Sequence, residues 1–105
     1  MNWITLNSEQ QLKDLLASQD IIVVFKHSTR CSISSMVKNR VEREWTSDHA
    51  VYYLDLIAHR NVSNLIAQLS GVEHQSPQMI VFKEGKPIYD ASHTSISASE
   101  VMDLL

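Results

Sequence analysis

An α/β domain with a mixed central sheet is the fold class this sequence predicts, and three observations carry the prediction. Ile21-Ile22-Val23-Val24-Phe25 is a short apolar run rich in β-branched residues, and Val51-Tyr52-Tyr53-Leu54-Asp55-Leu56 is a second strand-like run. The segment between them has helical character, and a crossover of that length implies parallel pairing with a right-handed connection. Met79-Ile80-Val81-Phe82 and Pro87-Ile88-Tyr89-Asp90 then flank Lys83-Glu84-Gly85-Lys86, the pattern of a β-hairpin with a glycine-containing turn.

The remaining elements follow in chain order. Ser8-Glu9-Gln10-Gln11 reads as a capping box, and the helix after it buries Leu12, Leu15 and Leu16 before ending near Gln19-Asp20. A strand runs from Ile21 to Lys26. The next helix begins at or just after Cys31 and reaches about Trp45, with Ile33, Met36, Val37, Val41 and Trp45 toward the core and Lys38, Arg40, Glu42 and Arg43 toward water. Asn61 to Ser70 forms a helix with Val62, Leu65, Ile66 and Leu69 on one face and Gly71 as its left-handed stop. A last helix starts at the capping box Ser97-Ala98-Ser99-Glu100 and closes with Val101, Leu104 and Leu105. The predicted order is α, β, α, β, α, β, β, α, a four-stranded sheet with helices on both faces.

A chain of 105 residues fits one domain, residues 1–105, with a single core. Hydrophobic residues make up 44% and charged residues 20%, which is ordinary for a globular protein and unlike a disordered one. The longest uninterrupted apolar run is too short to span a bilayer, so no membrane partner is expected. Met1-Asn2-Trp3-Ile4-Thr5 lacks the basic start and long apolar centre of a secretion signal, and a cytoplasmic location is expected. With a net charge of −3 and only Lys38, Arg40 and Arg43 clustered among the basic residues, no nucleic-acid partner is expected either. His27, His49, His59, His74 and His93 show no Cys/His spacing of the zinc type, so no metal site is expected; His49, His59 and His74 are assigned to surface or structural roles.

The sequence holds one cysteine, Cys31, which excludes an intramolecular disulfide. It stands where the first clear strand hands over to a helix, at the carboxyl end of the strand, where open α/β sheets place their sites. A helix N-terminus favours the thiolate, the reactive form of cysteine, because unsatisfied backbone N–H groups and the macrodipole put partial positive charge there. Arg30 and a protonated His27 are further candidates to stabilise the thiolate, if they do not point into solvent. The alternative for Cys31 is a small packed hydrophobe. Ser34 lies three residues on, where it either donates a hydrogen bond to the thiolate or is an ordinary first-turn serine.

Lys26-His27-Ser28-Thr29-Arg30-Cys31-Ser32-Ile33-Ser34, Glu73-His74-Gln75-Ser76-Pro77-Gln78 and Ala91-Ser92-His93-Thr94-Ser95-Ile96, in this order and spacing, are similar to the YtxJ-like monothiol bacilliredoxins. The element order likewise resembles the thioredoxin-like fold over essentially the whole chain. In those proteins the active segment reads Thr-Cys-Pro-Ile; here Arg30 and Ser32 flank the cysteine. The resemblance implies that Ser76-Pro77 is the cis-proline loop facing Cys31, whereas most prolines in general are trans. It also implies that Thr29, Ser76, Pro77, Ser92, His93 and Thr94 hold substrate. The alternative for Ser92-His93-Thr94 is a polar loop with local turn contacts.

Such a protein is expected to remove bacillithiol or a similar low-molecular-weight thiol from S-thiolated client proteins through a mixed disulfide on Cys31. The small thiol serves as co-substrate and no cofactor is tightly bound. In two-cysteine relatives a second thiol three residues on resolves the mixed disulfide; a hydroxyl at Ser34 cannot, so the resolving thiol comes from outside the chain. Two other classes fit a lone cysteine on this fold: an iron-sulfur carrier of the monothiol glutaredoxin type, and a non-catalytic thioredoxin-like binding module.

Overall fold

The structure is a computed structural model describing all 105 residues. In chain order the elements are β1 (Asn2–Thr5), α1 (Glu9–Ala17), β2 (Ile21–His27), α2 (Ser32–Glu44), β3 (Ala50–Asp55), α3 (Arg60–Ser70), β4 (Gln78–Lys83), β5 (Lys86–Ser92), a 3₁₀ turn (His93–Ser95) and α4 (Ala98–Met102). The five strands lie in the order β1-β3-β2-β4-β5, with β1, β3 and β2 parallel and β4 and β5 antiparallel. The expected four-stranded sheet therefore gains β1. That strand has four residues at the sheet edge and pairs with β3, nearly fifty positions away, so no local pattern announces it.

Strand β2 organises the core because it is paired on both sides and covered on both faces. Side chains alternate across a strand. Val23 and Phe25 join Val37, Val41 and Trp45 of the α2 layer, with Val101 of α4. Ile22 and Val24 join Leu12 of α1 and Val62 and Ile66 of α3. Val23, Val24 and Phe25 are fully buried, and burying each such side chain contributes about 1.5–3 kcal/mol.

Local signals are met where they were expected, with adjustments. Ser8 Oγ accepts from Gln11 N–H at 3.1 Å, while the Gln11 amide oxygen accepts from Asn7 N–H, one residue before the cap. Ser97 Oγ accepts from Glu100 N–H. Gly71 ends α3 at φ 74°, and its N–H donates to Ala67 O. Glu84 and Gly85 close the hairpin, both with positive φ; a Cβ on Gly85 would collide with the carbonyl oxygen of Leu16, so the turn is held against α1 by the lack of a side chain.

Ile33 (45%) and Met36 (53%), assigned to the core, are instead exposed, as are Leu69 (50%) of the apolar face of α3 and Leu105 (39%), which lies beyond the end of α4 at Met102. In α2 the buried stripe is Ser34, Val37 and Val41, so Ile33 and Met36 point about one residue's rotation away from it. In α3 the stripe is Val62, Ser63 and Ile66, which leaves Leu69 outside. Serines occupy stripe positions in both helices.

The last residues of β2 carry polar side chains into this core. Lys26 continues the α3-facing side of the strand and is 0% exposed, its amine 3.1 Å from His74 Nδ1. Burial lowers its pKa from 10.5 to about 8, so at neutral pH a charged amine is held out of water.

Replacing Lys26 by Met should therefore raise stability at pH 7 by up to about 3 kcal/mol, the equivalent of that shift. The advantage should shrink between pH 8 and 10.5, where the native wild-type chain sheds a proton that the unfolded chain keeps, so that its stability rises with pH. Urea denaturation of both proteins near pH 7 and near pH 10 reads this; an equal gain at both would show that the buried charge is not the cause.

Candidate active site

Four backbone segments meet at one end of the sheet. β2 and β3 end there, at His27 and Asp55, which are in register, and Leu56 N–H donates to His27 O at 3.0 Å. β4 begins there and β5 ends there, since Lys26 is in register with Gln78 and Gln78 with Ser92. The turn carrying Cys31, the Ser76-Pro77 segment and Ser92-His93-Thr94 thus share this rim. His93 N–H donates to Pro77 O at 2.9 Å and joins two of them directly.

Cys31 is the N-cap residue of α2, with extended backbone (φ −107°, ψ 117°), and its carbonyl accepts from Ser35 N–H. Its own N–H donates to Ser28 O at 3.2 Å, closing a tight turn over Ser28–Cys31. The thiol is free, half-buried and caps no helix N–H, so it is available to a reactant. Thr29 and Arg30 are exposed beside it.

Two of the expected thiolate partners are engaged elsewhere. Ser34 is fully buried; its oxygen lies 2.7 Å from His27 Nδ1 and accepts from Ser28 N–H at 3.1 Å. Both bonds run inward, so Ser34 braces the turn and does not donate to Cys31. His27 is buried with its ring against Phe25 and Tyr53. Burial first, and then the Lys38 charge, lower its pKa, outweighing Asp55 and Glu42, which act in the opposite sense. A neutral imidazole follows at pH 7, so His27 supplies no positive charge to the thiol. Ser34 Oγ has one proton and two lone pairs, so it can take the Ser28 N–H and still bond Nδ1, with the His27 tautomer setting which of the two donates.

The other rim residues divide in the same way. The Ser76–Pro77 bond is cis, as the resemblance implied; Pro77 is buried, and Ser76 Oγ is buried without a hydrogen-bond partner. Ser92 ends β5 half-buried, and His93 and Thr94 are exposed, His93 with φ 55°. The His93 N–H is already used by Pro77 O. Arg40, read from sequence as a solvated helix residue, donates to the carbonyls of Thr94 and Ile96 and fastens this loop to α2. Lys38 and Glu42 are likewise half-buried: Lys38 pairs with Glu42 at 3.1 Å and lies over the rings of Trp3 and Tyr53.

No cavity adjoins Cys31. The largest hollow, about 600 Å³, lies at the opposite end of the sheet, among residues such as Asp14, Leu15, Asp20 and Ile22. The rim around the thiol is an open surface with a hydroxyl, an imidazole and a guanidinium exposed on it.

The sequence profile of the family described as Monothiol bacilliredoxin BrxC matches residues 4–101. The chain belongs to the monothiol bacilliredoxin family. Among solved structures, this bacilliredoxin is similar to one described as a candidate oxidoreductase with a thioredoxin fold, at 29% identity and TM-score 0.82, covering 96% of this chain and 91% of that one. It also matches a thioredoxin variant from Halobacterium salinarum NRC-1 (15% identity, TM-score 0.73, 98% of this chain and 87% of that one). A thioredoxin from Malassezia sympodialis matches at 17% identity and TM-score 0.74, covering 99% and 87% respectively. The fold is thus thioredoxin-like, and family and fold together support a thiol redox role. No helix is long and apolar enough to cross a membrane.

Replacing Ser34 by Ala in this bacilliredoxin strands the Ser28 N–H and removes the partner of His27 Nδ1. The expected loss of stability is about 1–3 kcal/mol, the cost of leaving such buried groups unpaired. Chemical denaturation measures it, and an unchanged midpoint would take the Ser34 bonds out of the account of how the Cys31 turn is held.

Proposed function

We propose that this bacilliredoxin is a monothiol thiol-disulfide oxidoreductase that removes bacillithiol, or a similar small thiol, from S-thiolated cytoplasmic proteins. One observation carries the reading: a single half-exposed thiol stands at the N-terminus of a helix on an open rim, while the position that would hold a resolving thiol is a buried serine hydroxyl with two hydrogen-bond partners. An open rim suits a disulfide carried on another protein, which could not enter a closed cavity.

The Cys31 thiolate attacks the sulfur of the small thiol in the client's mixed disulfide. A bond forms between Cys31 Sγ and that sulfur, the client–sulfur bond breaks, and the client leaves as thiolate. Ser34 has no sulfur with which to displace the adduct, so a second molecule of small thiol attacks it, releasing Cys31 and a symmetrical small-thiol disulfide. A separate reductant then regenerates the small thiol. No tightly bound cofactor is needed for either exchange.

Ser76-Pro77 presents backbone to an extended client segment, in the manner of strand-addition recognition, and Thr29 borders the same approach. Ser92, His93 and Thr94 lie where the acidic part of a small thiol would be held; the His93 ring and the Thr94 hydroxyl are exposed for this, although the His93 N–H is not.

Incubating the wild-type protein with a bacillithiolated client should give an intact-mass increase of one small-thiol adduct, on Cys31, that persists until free small thiol is added. The Cys31→Ser variant should form no adduct and release no client thiol. Continued release by that variant, or release from the wild-type protein without any adduct, would end the mechanism.

A further inference from the structure

We propose that His74 is a positioning residue for this site: held at Nδ1 between Lys26 and Ser63, it fixes the Glu73–Gln78 segment so that Ser76 and Pro77 stand beside the Cys31 turn. Between Gly71 and Gln78 the chain has no helix or strand, so its path depends on side-chain bonds. His74 Nδ1 lies 3.1 Å from the Lys26 amine on β2 and 3.1 Å from the Ser63 hydroxyl on α3, both donors fully or almost fully buried. From the other end of the segment, the buried Gln78 amide donates to Glu73 O at 3.0 Å and accepts from Gln75 N–H at 3.4 Å. The segment's placement passes on to the next loop, because Pro77 O receives His93 N–H at 2.9 Å.

This clamp works only while Nδ1 is unprotonated and able to accept. Burial lowers the pKa of His74, and the two charged groups bearing on it, Lys26 from β2 and Arg60 from α3, are both cationic and lower it further. At pH 7 the ring is neutral and accepts. In acid, an Nδ1–H facing the Lys26 ammonium ends that bond and sets two positive charges against each other. A fully buried amine at the edge of the site thus has a use that its cost to folding does not reveal.

The catalytic part of the inference rests on the proposed function; the structural part does not, and two arms of the test separate them. In the first, the rate of adduct formation on Cys31 is measured against the concentration of a peptide carrying bacillithiol in disulfide linkage. His74→Ala should raise the half-saturating concentration about tenfold or more, the scale of a small misplacement of a binding loop, with the rate of Cys31 alkylation by iodoacetamide unchanged. His74→Asn, whose amide oxygen can accept from Lys26 without titrating, should stay near the wild-type value and lose the weakening that the wild-type protein shows as pH falls below the ordinary histidine range. In the second arm, hydrogen exchange of the His93 amide should speed up about tenfold in His74→Ala while that of Val24 in β2 does not change. Wild-type half-saturation and wild-type His93 exchange in His74→Ala would overturn the proposal. If His74→Ala does not fold, the wild-type protein and His74→Asn are compared across pH, and equal acid weakening overturns it. If the wild-type protein forms no adduct with the peptide, the proposed function fails, and His93 exchange alone decides the role of His74.

Discussion

The 2.7 Å hydrogen bond between His27 Nδ1 and Ser34 Oγ is the contact on which the rest of the site depends. It joins the last residue of the most buried strand to the first turn of the helix that Cys31 caps, and the Ser28 N–H shares the same oxygen. Because burial keeps the imidazole neutral, the bond is between uncharged partners and holds across the physiological range. The Ser28–Cys31 turn is therefore placed by β2 and not by solvent-exposed contacts. Arg40 does a comparable job for the 93–96 segment from α2. Thr29, Arg30, His93 and Thr94 stand outermost on the rim with exposed side chains.

Much of the fold was legible because its signals are local. A β-branched run, a serine three residues ahead of the amide it caps, and a glycine after an apolar helical stripe each report the backbone within a few residues. β1 has no such report: only Trp3 and Ile4 of its residues are apolar, and its pairing partner β3 lies far along the chain. The hairpin strand β5 runs from Lys86 to Ser92, longer than Pro87–Asp90, because backbone pairing with β4 continues through side chains with no apolar pattern.

For the site, what could be read was position: Cys31 after a strand, proline before a strand, and a polar loop after a strand all converge at one end of the sheet. What could not be read was which polar side chains turn inward. Hydrophobic periodicity counts Ile33 and Met36 as core, and the structure exposes both, because Ser34, bonded to His27 and to the Ser28 N–H, holds the stripe position. Lys26 and Ser63 escape for the same reason. Arg40, Lys38 and Glu42 look like a solvated charged face until the tertiary neighbours, two backbone carbonyls and two aromatic rings, are in view.

The placement of Ser34 also bears on how this protein could change in evolution. A thiol at that position would differ from the serine by one atom, and in an exposed first turn it would at once offer a partner for Cys31. Here the change replaces a fully buried oxygen that binds an imidazole and a backbone amide with a larger, weakly hydrogen-bonding sulfur. A lineage moving toward a self-resolving enzyme would have to rebuild the end of β2 as well. The one-cysteine state is entrenched in the packing.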